Sequence, residues 1–213
     1  TSNRFGSNSV FTVPVTGGDA QRVTWHPTGA VVQGWSKDGQ NIYYASARGT
    51  APSTINRLWS ISATGGPSKL VTKQWVNDAS YSPDEKQIAI DKMRRWDSEW
   101  RAYRGGQNTP LIILNLADQS EVLIPNEKTT DIQPVWMGGD VYFLSDRDWV
   151  MNIWRYNVSS RSLTQVTTFE GDDVKSLAGH NGKLTFERSG YLHIMDIASG
   201  AITQLDINLT GDF

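Results

Sequence analysis

The chain has 213 residues, a net charge of −2 and a hydrophobic fraction of 38%, which is enough apolar material to form a core. Its near-neutral charge gives no electrostatic reason to expect a nucleic acid or an anionic membrane as a partner, and no apolar run approaches the ~20 residues that span a bilayer. The absence of cysteine excludes disulfides, zinc–thiolate sites and cysteine nucleophiles.

A short strand pair joined by a turn recurs five times along the chain. Each copy combines an apolar or aromatic strand, a turn and a second strand, and the copies start at Val10, Leu58, Leu111, Ile153 and Leu192. The steps between them bracket the ~40–50 residues of a four-stranded propeller blade.

A second strand–turn–strand motif precedes four of these five copies. The first two read Trp35-Ser36-Lys37-Asp38-Gly39 and Tyr81-Ser82-Pro83-Asp84, and the others begin at Trp136 and Ala178. Asp-Gly and Asn-Gly supply the positive φ that a hairpin turn needs. The two motifs together predict an all-β fold, a β-propeller of four-stranded antiparallel blades with little helix.

We expect residues 1–213 to form a single incomplete propeller. A partial blade is predicted at 1–26, and complete blades are predicted at about 27–74, 75–126, 127–168 and 169–209. Residues 1–9 are polar and rich in Gly, Ser and Asn, so they are not expected to supply the missing strands of the first blade. We therefore expect a fragment that lacks its amino-terminal part and self-associates through exposed blade faces.

Two levels of resemblance follow from these motifs. The Ser-x-Asp-Gly and Ser-Pro-Asp turns resemble the repeats of TolB-like bacterial propellers. The segment Trp100-Arg101-Ala102-Tyr103-Arg104-Gly105-Gly106 resembles the Arg-Tyr-Arg-Gly segment of tricorn-like serine peptidases, and residues 131–153 and Gly190-Tyr191-Leu192-His193 are also similar to that family.

The second resemblance implies a six-bladed amino-terminal propeller, of which about four and a half blades are present, followed by a seven-bladed propeller, a PDZ-like domain and catalytic domains. It implies that this chain gates or guides peptides for a Ser/His site outside it, with peptides and the downstream catalytic domains as partners. The parent would be a serine peptidase of the cytoplasm, with the periplasm left open. The alternative is a TolB-like or WD40-like scaffold propeller that binds a protein and has no enzymatic parent.

The residues of this chain indicate no catalytic centre, metal site or cofactor. No Gly-x-Ser-x-Gly elbow, His-Glu-x-x-His pair or phosphate loop occurs. Repetition accounts for His26 and His180 as turn residues and for His193 as the counterpart of a strand Trp. The Asp146-Arg147-Asp148 run is expected to be a hairpin turn rather than a calcium loop.

The third unit carries an excursion at 92–107 that is rich in arginine and aromatic residues. We predict a peptide- or partner-binding surface there, formed by Arg94, Arg95, Trp96, Trp100, Arg101, Tyr103 and Arg104. Arginine offers a planar fork for carboxylates, and aromatic rings offer flat contact area. The alternative is that Trp96 and Trp100 pack under the loop, with the arginines stacked on them and paired to Asp97 and Glu99.

Overall fold

The computed structural model describes residues 1–50, 55–93 and 101–208, and in these ranges the chain forms β-strands and no helix. The strands make one two-stranded sheet and four four-stranded sheets, all antiparallel. The four-stranded sheets are the blades of a propeller, so the predicted fold class is confirmed.

The blades follow one another along the chain. Half-blade 1 consists of β1 (Phe11–Thr12) and β2 (Gln21–Arg22). Blade 2 consists of β3 (Val31–Trp35), β4 (Asn41–Ser46), β5 (Arg57–Ser62) and β6 (Lys69–Leu70). Blade 3 consists of β7 (Asp78–Tyr81), β8 (Gln87–Asp91), β9 (Ile112–Asn115) and β10 (Glu121–Leu123).

The last two blades repeat this order. Blade 4 consists of β11 (Asp131–Met137), β12 (Asp140–Ser145), β13 (Asn152–Asn157) and β14 (Leu163–Gln165). Blade 5 consists of β15 (Lys175–His180), β16 (Lys183–Arg188), β17 (Tyr191–Asp196) and β18 (Ile202–Gln204). In every blade consecutive strands pair, so the first strand is the inner edge and the fourth is the outer edge.

The hydrophobic core lies between the blades. Separate apolar clusters fill the spaces between half-blade 1 and blade 2, and between each later pair of blades. Ile88, Ile90 and Leu114 of blade 3 are fully buried because both faces of their sheet are covered. Each such side chain stabilises the fold by roughly 1.5–3 kcal/mol relative to exposure.

The Ser-x-Asp motif builds the turn between the first and second strands of a blade. In blade 3 the Ser82 hydroxyl donates to Oδ1 of Asp84 at 2.7 Å and accepts from the Gln87 N–H at 3.0 Å. Asp84 Oδ1 also accepts from the Lys86 N–H at 3.2 Å. One short motif therefore occupies the turn's backbone donors, which explains why it recurs.

Three of the four inner strands are bulged. The pairing of β3 with β4 shifts between Val32 and Gly34, and that of β11 with β12 shifts between Ile132 and Val135. The pairing of β15 with β16 shifts between Lys175 and Ala178. A bulge re-aims the side chain that it carries, and Gln33 and Gln133 are located at two of these bulges.

The amino-terminal residues lie against blade 2. Ser2 and Ser9 form an isolated bridge, the Asn8 carbonyl accepts from the Ala30 N–H at 2.9 Å, and the Thr1 hydroxyl accepts from the Val32 N–H at 3.1 Å. Over the described ranges, no helix has the length and apolar character needed to cross a membrane.

Candidate functional site

A cavity of about 310 Å³ lies between the four inner strands. We call it the channel. Its wall consists of residues 32–33 of β3, 78–80 of β7, 133–135 of β11 and 177–179 of β15. Because each inner strand ends its sheet, the channel wall is built from strand edges as well as from side chains.

A second cavity, of about 520 Å³, lies on the face that carries the loops joining the second and third strands of the blades. We call it the upper cavity. Blades 4 and 5 supply most of its wall through residues 144–151, 172–176 and 187–190. Gln133 lines both cavities, so the upper cavity adjoins the channel.

The predicted recognition segment reaches the upper cavity. It lies in the 92–111 connection between β8 and β9 of blade 3. Arg101, Tyr103 and Arg104 belong to the described residues, whereas Arg94, Arg95, Trp96 and Trp100 lie outside them. Arg101 and its neighbour Ala102 form one side of the upper cavity.

Arg101 pairs with an acidic residue two blades away. Its Nε lies 2.8 Å from Oδ2 of Asp173, and its Nη2 donates to Oδ1 of Asp173 at 3.0 Å and to the Gly171 carbonyl at 2.8 Å. The Arg101 side chain is 56% exposed. The pair is bidentate, and Asp173, whose side chain is 20% exposed, also accepts the Met151 N–H at 2.9 Å, so the arginine remains more open to solvent than its partner.

Arg104, also in the blade 3 connection, is held more firmly by contacts with blade 4. Its Nη1 lies 2.9 Å from Oδ2 of Asp146, and its Nη2 donates to the Asp146 carbonyl at 2.9 Å. The guanidinium group also lies over the Trp149 ring, 4.7 Å from its centroid. Asp146 is buried and accepts the Thr130 N–H as well, so this arginine has a structural role in joining blade 3 to blade 4.

Trp149 is the large aromatic residue of the upper cavity. The residue is 65% exposed, and its backbone has a φ of 71°. A bulky residue rarely adopts this left-handed conformation, and such strain clusters at binding sites. The Trp149 N–H donates to the Asp146 carbonyl at 2.9 Å, which fixes the turn that presents the ring.

Tyr103 positions the loop. Its carbonyl accepts from the Asn108 side chain and from Arg104 Nη1 at 3.1 Å, and Asn108 also donates to the Lys128 carbonyl at 2.8 Å. Gly105 lies so close to the Tyr103 ring that a Cβ there would overlap the ring. A larger residue at position 105 would therefore require the Tyr103 ring to move.

Positive and negative groups share the wall of the upper cavity. Besides the Arg101–Asp173 pair, it carries Glu187 and Asp172, whose Oδ2 accepts from the Ser189 hydroxyl at 2.7 Å. Arg188 lies over the Phe169 ring, 4.5 Å from its centroid. Such a wall suits a polar zwitterionic ligand better than a purely anionic one.

The described residues contain no arrangement for nucleophilic catalysis. His26 contacts the Thr28 hydroxyl at 2.8 Å, and His193 contacts the Tyr191 carbonyl at 3.1 Å and stacks on Phe186. In this part of the chain no hydrogen bond joins a histidine to a carboxylate, as a Ser–His–acid triad requires. The same ranges hold no cluster of His, Asp or Glu side chains that could bind a metal ion.

Sequence reasoning missed the roles of four residues that line the two cavities. The turn predicted at Asp146-Arg147-Asp148 is present between β12 and β13, but the pairing of Asp146 and Asp173 with the arginines of blade 3 was not predicted. The one indication in the sequence was charge: these loops are acidic and the excursion at 92–107 is rich in arginine, which favours ion pairs between them. Sequence reasoning also missed Gln33 and Gln133, because a single glutamine in an otherwise apolar strand does not indicate that its side chain binds the next blade.

A family model and a sequence relative among known proteins point to the same family. Residues 1–201 match the family described as the tricorn protease N-terminal β-propeller domain. The chain is 29% identical over 216 residues to "Tricorn protease homolog 1" of Streptomyces coelicolor, covering 99% of this chain and 20% of that protein. The chain therefore spans about a fifth of the length of this curated relative.

Solved structures show the same fold at lower identity. A putative TolB from Agrobacterium tumefaciens is 18% identical with a TM-score of 0.73, over 93% of this chain and 73% of that one. The crystal structure of the tricorn protease is 16% identical with a TM-score of 0.53, over 97% of this chain and 25% of that one. These likenesses concern the fold alone.

Proposed function

This chain belongs to the tricorn protease N-terminal β-propeller domain family, and from that premise we propose that it guides peptides to or from a catalytic domain outside these 213 residues. The observation that carries the proposal is the channel between the four inner strands, together with the upper cavity that adjoins it. A propeller's central channel is a natural path for an extended ligand.

We propose that the upper cavity makes the first contact with the peptide. Arg101 is the group best placed to bind a peptide carboxylate, because it is more than half exposed and its partner Asp173 is itself a carboxylate. Trp149 offers an exposed ring beside it. Arg104 and Tyr103 hold this surface in place, and Arg94, Arg95, Trp96 and Trp100 belong to the proposal although they lie outside the described residues.

We propose that hydrolysis takes place outside these residues, in another part of a longer protein. The curated relative is named a tricorn protease homologue, and this chain spans about a fifth of it. We propose that the parent is a cytoplasmic serine peptidase whose downstream catalytic domains are the chain's natural partners. The likeness to TolB structures concerns the fold and supports no separate function.

Self-association belongs to the same proposal. Large apolar side chains in and around half-blade 1 are exposed, among them Phe5, Val13 and Trp25. Exposed apolar surface of this kind favours contact with another protein surface. We expect the isolated chain to associate at high concentration, which sedimentation measurements test.

The experiment that tests the proposed function compares the isolated chain with the full-length protein. Extended peptides of about ten residues, which at roughly 3.3 Å per residue are longer than any inner strand of the channel, are offered to both. The chain alone is expected to bind peptides without cleaving them, whereas the full-length protein cleaves them. Cleavage by the isolated chain that survives inhibitors of contaminating peptidases contradicts the proposal, as does a reading frame without a Ser/His catalytic region.

A further inference from the structure

The wall of the channel is built from sheet edges as well as from side chains, and an exposed sheet edge can bind an extended peptide. An edge strand presents unpaired N–H and C=O groups, and a peptide can add itself as a further strand. The inner strands β3, β7, β11 and β15 each end their sheet on the channel side. A peptide passing through this channel would therefore meet four edges, each able in principle to retain it.

Side chains from the preceding blade occupy amides on these edges. The Leu177 N–H of β15 donates to Oε1 of Gln133 at 2.8 Å. The Ala79 N–H of β7 donates to Oε1 of Gln33 at 2.8 Å, and Nε2 of Gln33 returns a hydrogen bond to the Asn77 carbonyl at 3.2 Å. Each glutamine lies at a bulge of its own strand, which turns its side chain toward the next blade.

Hydroxyl groups do the same for the other two inner strands. The Trp136 N–H of β11 donates to the Ser80 hydroxyl at 2.8 Å. The Val32 N–H of β3 donates to the Thr1 hydroxyl at 3.1 Å. One amide on each inner strand is thus already bonded, and the capping side chain stands where a peptide carbonyl would have to bind.

The side chains of the channel add little charge to this wall. Among the described residues that line it, Asp78 alone carries an ionisable group. Burial raises the pKa of Asp78. The remaining side chains are apolar, small or already hydrogen-bonded, such as Val32, Ala178 and Gln133.

We propose that Gln33, Ser80 and Gln133 keep the channel wall from pairing with a peptide backbone, so that extended peptides of unrelated sequence pass without being retained. This inference rests on the proposed function for its ligand, a peptide in extended conformation. The capping of the edge amides is a property of the chain itself and is tested without any peptide.

The first experiment follows amide hydrogen exchange in the 213-residue chain. The Leu177 amide is expected to be protected, to exchange about tenfold faster in Gln133→Leu, and to stay protected in Gln133→Glu, whose carboxylate still accepts the hydrogen bond. Gln21→Leu, an exposed substitution on β2, is the matched control and leaves Leu177 unchanged. Equal exchange of Leu177 in the unaltered chain and in a folded Gln133→Leu variant overturns the proposal.

The second experiment measures binding of an extended peptide and of the same peptide with N-methylated amides, which cannot pair with a strand edge. The unaltered chain is expected to bind both peptides equally. The double variant Gln33→Leu/Gln133→Leu is expected to bind the unmethylated peptide more tightly than the methylated one, by about fivefold for each freed amide. A strong preference of the unaltered chain for the unmethylated peptide overturns the inference while leaving the proposed function standing. Failure of both peptides to bind any variant contradicts the proposed function, and the exchange experiment then decides the inference alone.

Discussion

Arg104 and Asp146 join two blades through a pair of hydrogen bonds. The arginine leaves blade 3 in the long connection between β8 and β9, and its guanidinium group contacts both the carboxylate and the carbonyl of Asp146 in blade 4. Asp146 is buried, and its other carboxylate oxygen accepts the Thr130 N–H at 2.8 Å. The pair therefore fixes the connection at the rim of the upper cavity.

Removal of this arginine should destabilise the chain. Arg104→Ala leaves the buried Asp146 carboxylate without its cation and is expected to lower the free energy of unfolding by about 2 kcal/mol, since the arginine is partly exposed. Urea unfolding measures the change. Lys73→Ala, at an exposed lysine, is the control and should change little. Equal stabilities of the two variants would show that the pair does not join the blades.

Replacement of Trp149 should weaken peptide binding with little effect on the stability of the fold. Glycine adopts a positive φ without strain, which offsets the lost contact with the Arg104 guanidinium group, so Trp149→Gly is expected to change the free energy of unfolding by less than about 1 kcal/mol. The same change removes the exposed ring of the upper cavity and should weaken peptide binding severalfold, as calorimetry would show. Unchanged peptide affinity in the folded variant would remove Trp149 from the proposed surface.

The aspartates of the Ser-x-Asp turns should have lower pKa values than ordinary carboxylates. The hydroxyl of Ser82 lowers the pKa of Asp84 beneath its usual 3.8. A depressed folded-state pKa contributes stability above pH 4, which is lost as the pH falls through the folded value. Ser82→Ala should return the pKa of Asp84 toward 3.8, which carboxyl NMR titration measures, with Asp38 in the equivalent turn of blade 2 unchanged. A pKa of Asp84 that does not move would contradict this role for Ser82.

Asp78 should show the opposite pH dependence. Burial raises its pKa above 3.8, so the folded chain binds this proton more tightly than the unfolded chain. The group therefore lowers stability as the pH rises from about 4 through the folded pKa, and the loss persists at neutral pH. Asp78→Asn is expected to be more stable at pH 7 than the unaltered chain and no more stable at pH 3. Thermal unfolding at the two pH values checks this, and a variant that is less stable at pH 7 would contradict it.

The repeats and turns made the propeller predictable, because each blade carries the same local chemistry. The Ser82–Asp84 turn is visible in the sequence since all its partners lie within a few residues. The position of His193 was also predictable. It pairs with Phe186 in β16, as Trp154 pairs with Phe143 in blade 4.

Contacts between blades could not be derived in the same way. Arg101 and Asp173 are separated by more than seventy residues in the sequence, and the residues around each of them do not indicate that the two side chains pair. Gln133 is informative only once the bulge in β11 aims it at Leu177. Both cavities depend on how neighbouring blades face each other, which the repeat alone does not specify.

Blocking the channel in the full-length protein tests most directly whether peptides pass through this propeller. The 213 residues contain no cysteine, so Ala178→Cys places a single reactive thiol of this domain on the channel wall, and Ala117→Cys places one on an exposed outer turn. Other cysteines of the full-length protein are replaced first. A small methylthio group and a bulky polyethylene-glycol maleimide are then attached at each position.

Peptide hydrolysis by the full-length protein is the measurement. We predict that the bulky group at position 178 removes most of the activity, whereas the methylthio group there and either group at position 117 leave it intact. Activity that is unchanged with the channel blocked would show that peptides do not travel through this propeller and would contradict the central claim.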